Sequence, residues 1–482
     1  MLRTLILKEL RVIVTGPKFV ATCAACSLLL LMSVYIGINE YKQNVKQYRM
    51  SEQLAEESLR QKSSWHSVDT RAHRAPNPMQ IFSSGLHYDI GRWTPVEDRQ
   101  SIKLRNSIYG DDPVFALFRI LDFTIIVQIV FSLFALLFTF DAVNGEKENG
   151  TLRLIFANAV PRGRYLLAKA VGSWLGLVVP LTIPILISLL MIQSFGVHLT
   201  GAQWARVAAL IGVSLAYVSL FVMAGLFVSV LTRRSSVSFL LALVIWVAFV
   251  LIIPRAGVMA AGHLSPVPRL AQIEGLRDGY AEGRWEEYYA GAEERFQEAR
   301  QNDDGETDEA AMWARLEQED SIRTTVWREI EVYEARLKED LKNRRRAQQK
   351  VGFTLARISP AAAYQLATMA LAGTDLTLKN RYEDALRDYR TEFLNYVATK
   401  SKSAGPGAGA VMIEMDSEKG LTIKSGRDDA GVDVSDRPRF SAPAVNLGPV
   451  AGSVMVDTGL LILFTLVAFG AAFISFLRFD VR

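Results

Sequence analysis

Apolar and polar positions separate along this chain into long blocks. Apolar runs at 19–39, 123–140, 170–195, 207–232, 235–254 and 458–477 contain no Asp, Glu, Lys or Arg. Each supplies roughly the 20 residues that a helix needs to cross a bilayer. With their flanking turns they predict spans at 18–39, 119–140, 170–195, 203–232, 235–254 and 457–478. Soluble cores rarely need six uncharged runs of this length, so an integral membrane protein is expected.

Between the runs the period changes. At the N-terminus Leu2, Leu5, Ile6, Leu10 and Ile13 alternate with Arg3, Lys8, Glu9 and Arg11. That spacing predicts an amphipathic helix lying flat at the membrane surface within 1–17, ended by Gly16-Pro17. The first span lacks a convincing cleavage site behind it and is read as retained. Segment 40–118 starts helix-like through about Lys62 and then turns irregular. Segment 255–456 carries two helical stripes, Ile322, Val326, Ile330, Tyr333, Leu337, Leu341 and Tyr382, Leu386, Tyr389, Phe393, Tyr396, read as the core of a helical bundle. An earlier helix is expected over 269–300, broken at Asn302 to Gly305. Residues 411–423 read as a β-hairpin turning near Glu418-Lys419-Gly420.

Charge fixes an orientation. The chain has 54 Lys and Arg against 50 Asp and Glu, a net charge of +4, too modest and too scattered for a nucleic-acid partner. Basic residues cluster before the first span, within 141–169, at Arg233-Arg234 and after the last apolar run at Arg478 and Arg482, the latter in the tail 479–482. With six spans all four groups share one side. Short basic loops stay cytoplasmic, so both termini are expected there and the long segments 40–118 and 255–456 outside.

The connection 141–169 stands out. Its charged, glycine-punctuated sequence lies between two apolar runs, and Asp141, Gly145, Glu146, Glu148, Gly150, Thr151, Leu152, Arg162 and Lys169 stand in the order D…G-E-x-E-x-G-T-L…R…K. This pattern resembles the signature of ABC exporter permeases of the second type. The outer segments, with Pro254-Arg255 to Pro268 and Ile358 to Asp375, resemble the subset with large outer domains that is associated with copper-enzyme maturation and gliding motility. The resemblance implies a bacterial inner-membrane permease that dimerises with itself or a related permease. It also implies separate cytoplasmic ABC ATPases that carry ATP and Mg, and for the subset a periplasmic protein partner. Glu9 and the loop residues Asp141, Gly145, Glu146, Glu148, Gly150, Thr151, Leu152 and Arg162 would then couple to the ATPase. Glu146 and Glu148 would meet basic residues of that partner, and Thr151 would cap a short helix opening at Gly150.

Other candidates change this picture little. Neither GEKENGT (145–151) nor GPGAGA (405–410) is a P-loop, so ATP hydrolysis is assigned to another chain. No catalytic residue, cofactor or metal is assigned to this one. Cys23-x-x-Cys26 lies inside a span among small residues and reads as packing. His66, His73 and His87 share the first outer segment without a diagnostic ligand spacing. Arg119 and Asp122, three apart at the edge of the second span, form a candidate intramembrane pair. Pro180 and Pro184 are expected to kink or loosen the third span, and a kink, a tilt or a short re-entrant piece to absorb the uncharged excess up to Ala205.

The expected fold is all-α: six transmembrane helices, an N-terminal interfacial helix and a large, mainly helical extracytoplasmic domain with a small β-hairpin. The expected function is that of an ABC permease subunit for export or for driving its outer domain. Two alternatives stand beside it: a mechanotransmission subunit without transbilayer transport, and a non-transporting membrane scaffold or receptor.

Overall fold

The computed structural model describes residues 2–62, 68–88, 90–96, 122–158, 160–301, 309–403, 411–416, 420–425, 434–443 and 447–478. Its described chain is overwhelmingly helical, and six helices are long and apolar enough to cross a membrane. Two compact units are formed, one by Met1–Val250 with Pro360–Arg482 and the other by Leu251–Ser359.

In the larger unit, α1 (Leu2–Val14) is separated by Gly16 from α2 (Pro17–Arg60). Pro17 occupies the first turn of α2, where a missing N–H costs nothing. This 44-residue helix continues well beyond its apolar run. A short antiparallel pair follows, β1 (Thr70–His73) with β2 (Trp93–Val96), in a stretch expected to be irregular. Next, α3 joins Phe123–Ile125, a π turn at Ile126–Phe131 and Ser132–Thr139. A π turn leaves backbone carbonyls in need of donors. The Tyr217 hydroxyl donates to Gln128 O at 2.9 Å, and Ser132 Oγ donates to the same carbonyl at 2.5 Å.

The short helices α4 (Asn144–Glu148) and α5 (Thr151–Ala157) precede the long α6 (Arg162–Ser194) and α7 (Gly201–Leu231). Helix α6 runs through both Pro180 and Pro184. The excess apolar length before Ala205 is absorbed without a re-entrant piece. Gly196, at φ 74°, turns the chain, and the capping box of Thr200 and Gln203 opens α7 six residues before Arg206 is passed. Helix α8 (Ser235–Trp246) leads into a π turn at Val247–Ile252. The chain stays helical past Pro254, where the sequence suggested an end, because that proline sits in the first turn of α9 (Ile253–Leu264).

The smaller unit contains α9, α10 (Leu270–Gln301) and α11 (Glu309–Ala356). Helices α10 and α11 are antiparallel, since Arg277 meets Glu334, Tyr280 stacks on Tyr333 and Arg295 meets Glu319. Val326, Ile330 and Leu341 of the first stripe are buried, as a seam between helices requires. Gly257 admits the backbone of α11: a Cβ there would lie 2.9 Å from Ala356 N.

The remaining elements return to the larger unit, so the segment 255–456 expected as one domain is divided between the two. Helix α12 (Pro360–Ala372) is followed by α13 (Thr377–Ser403), the hairpin β3 (Val411–Asp416) with β4 (Gly420–Ser425), and α14 (Leu447–Arg478). The hairpin is antiparallel, with Asp416 opposite Gly420. The second stripe packs Leu386, Tyr389 and Phe393 against Ala72 and Val96 of the small β pair. Helix α12 was expected to lie on the membrane face. It is instead buried between α7 and α14. Its small residues Ala361, Ala363 and Ala367 permit close approach, and Tyr364 stacks on Tyr217 with ring centroids 4.5 Å apart. The Tyr364 hydroxyl also lies 3.0 Å from Ser214 Oγ. Tyr364→Phe is expected to lower stability by about 0.5–1.5 kcal/mol, the net worth of one hydrogen bond. Thermal unfolding of Tyr364→Phe, Ser214→Ala and the double variant checks this: the double should cost less than the sum of the singles.

Candidate functional site

The connection between α3 and α6 is a packed structure rather than a solvated loop. Ala142, Val143 and Leu152 share a buried cluster with Tyr165 and Leu166 of α6, Leu226 and Val230 of α7, and Phe476 of α14. Gly150 makes this possible. It adopts φ 71°, a left-handed conformation that costs little only for glycine, and so turns α4 into α5. Leu152 then points inward while Arg153 and Leu154 point out, the latter 67% exposed. Thr151 does not cap α5, because Gly150 occupies that position. Its hydroxyl donates back to Glu146 O at 3.3 Å.

The polar residues of α4 tie it to several neighbouring helices. Asn144 is fully buried and donates to Thr232 Oγ1 at 3.0 Å, and its backbone N–H donates to Ser229 Oγ. Lys147 Nζ donates to Val230 O at 2.6 Å and to Thr232 O at 3.2 Å, satisfying the end of α7. Glu148 accepts from the N–H of Ser235 at 3.0 Å and from its hydroxyl at 2.6 Å, which places a carboxylate at the positive end of α8. Farther along, Arg162 donates to Leu477 O at 2.8 Å, near the end of α14. Asp141, at the start of the connection, is partly buried, and Gly145 lies beside it.

Glu146 leads to the centre of the site. Its carboxylate accepts from the Tyr165 hydroxyl at 2.6 Å and meets Lys169 Nζ at 2.9 Å and Lys8 Nζ at 3.6 Å. Lys169 also meets Glu9 Oε2 at 2.7 Å. One buried ammonium from α6 therefore bridges a carboxylate of α1 and one of α4, and Lys8 reaches in from the exposed side. Burial raises the pKa of the Glu9 carboxyl, while Lys169 pulls it in the opposite direction. Charges this deep are stable only when paired and hydrogen-bonded, which this arrangement provides.

Helix α1 can come this close because α6 presents glycines beneath Glu9 and Ile13. A Cβ on Gly172 would lie 2.7 Å from Glu9 Cβ, and one on Gly176 would lie 3.1 Å from Ile13 Cγ2. The two glycines, four residues apart, form a seat of the kind that lets helices meet at short distance.

Among the residues expected from sequence, the structure brings together Glu9 and Glu146, and places Glu148, Gly150, Thr151, Leu152 and Arg162 around them. Glu146 was expected to face a partner and instead faces Lys169 and Tyr165, whose cation and hydroxyl stabilise it inside the chain. Tyr165, Gly172 and Gly176 were not anticipated. The four-residue spacings Tyr165–Lys169 and Gly172–Gly176 were the available signal. The candidate pair at the other end of α3 is only half described: Arg119 lies outside the described residues. Asp122 caps α3 by accepting from Ile125 N at 2.8 Å and also accepts from Ser84 N and Oγ, both at 2.9 Å.

A family profile described as ABC-2 family transporter protein matches residues 3–481. The chain belongs to the ABC-2 family. It is the membrane component of an ABC transporter, a permease, and this family implies partnership with ABC ATPase subunits. A search of curated proteins finds no match. The match spans both units of the permease and includes the buried bridge at Lys169.

Proposed function

We propose that this permease transmits the movement of separate ATPase subunits through the cluster at α4 and α5, and that those subunits hold ATP and Mg. The observation that carries the reading is the Lys169 bridge. It joins α1, α4 and α6, while neighbouring bonds join the same short helix to α7 and α8. A push on such a hub reaches several helices together, because packed elements move as bodies rather than deform smoothly. The exposed side of α5, with Arg153 and Leu154, is the docking face in this reading. The basic clusters on this side of the membrane favour a cytoplasmic location for it. Two copies of the permease would give two such faces.

The test is mild-detergent purification of the full chain with its ATPase, comparing wild type with Arg153→Glu/Leu154→Asp. Both positions point away from the buried cluster, so the variant should elute as wild type does and lose the ATPase. Retention of the ATPase by the variant would move the docking face elsewhere. Absence of any ATPase from the wild type would favour the scaffold alternative.

A second reading concerns what moves. Helix α11 has 48 residues, hence a length of about 72 Å at 1.5 Å per residue, more than twice the hydrocarbon thickness of a bilayer. A charged rod of this length suits a subunit that drives a partner machine in place of a transbilayer cargo.

A further inference from the structure

The far end of the larger unit holds two adjoining cavities with one sign of charge. The first, about 570 Å³, is lined by Arg71, Arg74 and Arg92 together with Asn44, Gln47 and His87. The second, about 340 Å³, shares Arg74, Pro76 and His87 with the first and adds Arg206 and Arg381. Among the described residues lining either cavity there is no Asp or Glu.

Arg74 is the unusual member. It is 8% exposed, and the partners of its guanidinium are neutral: His87 O at 2.6 Å, Ile90 O at 3.5 Å and His87 Nδ1 at 3.3 Å. Its Nε is buried and donates to no described atom, and the same is true of Arg381 Nε. Arg92 reaches Gln47 Oε1 at 2.5 Å and Asn44 Oδ1 at 3.0 Å, and it also interacts electrostatically with the Glu40 carboxylate. Arg71 lies over the Trp93 ring at 4.9 Å, which leaves its edge available for hydrogen bonds. Arg381 lies 3.5 Å from Asp375, which is not part of the lining. Glu40, one turn before Asn44, is occupied by the Tyr88 hydroxyl at 2.7 Å and also lies outside the lining.

A buried guanidinium held by neutral groups, as at Arg74, is costly, and the other arginines around the same concavities add to a positive potential there. Burial, and then Arg92, hold the Arg74 guanidinium down to about 10, so it still carries its charge at neutral pH. Burial and the same two arginines push the His87 imidazole well below its ordinary range, which leaves it neutral. The start of α7 adds its positive dipole end, since Thr200, Ala202 and Gln203 line the second cavity. The planar, multidentate arginine fork matches phosphate-type oxygens.

We propose that the two cavities form a binding site for a phosphate-type oxyanion, with Arg74 at the shared wall and Arg71, Arg92, Arg206 and Arg381 around it. The oxyanion is either the headgroup of an anionic lipid or a soluble phosphate. The site is separate from the α4–α5 cluster, so it stands or falls independently of the ATPase reading.

The test uses the full chain, purified in detergent, stripped of lipid and kept in chloride buffer. Inorganic phosphate is titrated calorimetrically at constant ionic strength. In parallel, phosphatidylglycerol or phosphatidylcholine is added and the complex is examined by native mass spectrometry. The variants are Arg71→Gln, on an exposed strand position, and Arg381→Gln, at a half-buried one; neither should disturb folding, and elution with circular dichroism verifies this. The wild type should bind phosphate, or retain phosphatidylglycerol over phosphatidylcholine, and each variant should weaken that binding by at least about tenfold, the scale of losing a charge-assisted hydrogen bond. Binding of phosphate supports a soluble source. Retention of phosphatidylglycerol without phosphate binding supports a lipid source. The proposal is overturned if the wild type binds neither, or if both variants bind as tightly as the wild type.

Discussion

Lys169→Met should destabilise this permease by about 3–5 kcal/mol, the cost of breaking a buried ionic group and leaving its partners uncompensated. The size follows from geometry. Lys169 is 8% exposed, and its ammonium lies within 3 Å of both Glu9 and Glu146. Methionine fills most of the same volume, so little of the loss comes from a cavity. What remains is the buried Glu9 carboxylate beside the partly buried one of Glu146, offset by Lys8, half-exposed at 3.6 Å from Glu146, and by the Tyr165 hydroxyl. Thermal unfolding in detergent measures the loss. Adding Glu9→Gln to Lys169→Met removes one of the stranded charges and should recover a substantial part of it. If the double variant is no more stable than the single, electrostatics is not what the bridge contributes. Under the proposed function, neither variant should show the nucleotide-dependent change that the wild type shows with its ATPase, since restored stability does not restore the link between α1 and α4.

Gly172→Leu should unseat α1. The first side-chain atom would already lie 2.7 Å from Glu9 Cβ and 2.8 Å from Glu9 Cγ, and the leucine would need several more. Overpacking of this kind typically costs about 1–3 kcal/mol when the surroundings can shift. Here the surroundings are one short terminal helix, and its displacement also separates Glu9 from Lys169. Limited trypsin digestion reads this directly, because Arg11 sits on the exposed side of α1. Cleavage after Arg11 should be slow in wild type and fast in Gly172→Leu. Gly212→Leu is the comparison: nothing lies within 4 Å of a Cβ there, so digestion should match the wild type. Equal digestion of all three proteins would mean that the glycine seat does not hold α1.

The spans were legible because a bilayer demands a simple signal: length without charge. The two stripes were legible as helices because period survives any tertiary context. Their destinations were not, since a stripe says that a face is covered and not by what. Leu386, Tyr389 and Phe393 were read with the Ile322 to Leu341 stripe, yet they pack on β1 and β2 in the other unit, while Tyr382 packs with Ile90 and Leu378. Helix α12 misled for a related reason, because an apolar alanine-rich segment reads the same whether it lies on lipid or between helices. The site shows the converse limit. Glu146, Glu148 and Arg162 were recognisable as a pattern, but their partners Lys169, Ser235 and Leu477 are set by how α6, α8 and α14 converge. Isolated acids in a loop look solvent-facing until the third dimension supplies a cation.

The contact between Glu9 and Lys169 also has a consequence for biosynthesis. The chain emerges from the N-terminus, so α1 is made long before the helix that carries Lys169, Gly172 and Gly176. Until α6 is made, Glu9 has neither its cation nor its seat. Docking of α1 closes a large loop and is a late event in assembly, when the first three spans are already side by side. Lodging of α1 therefore reports that the half of the bundle made first has been put together correctly.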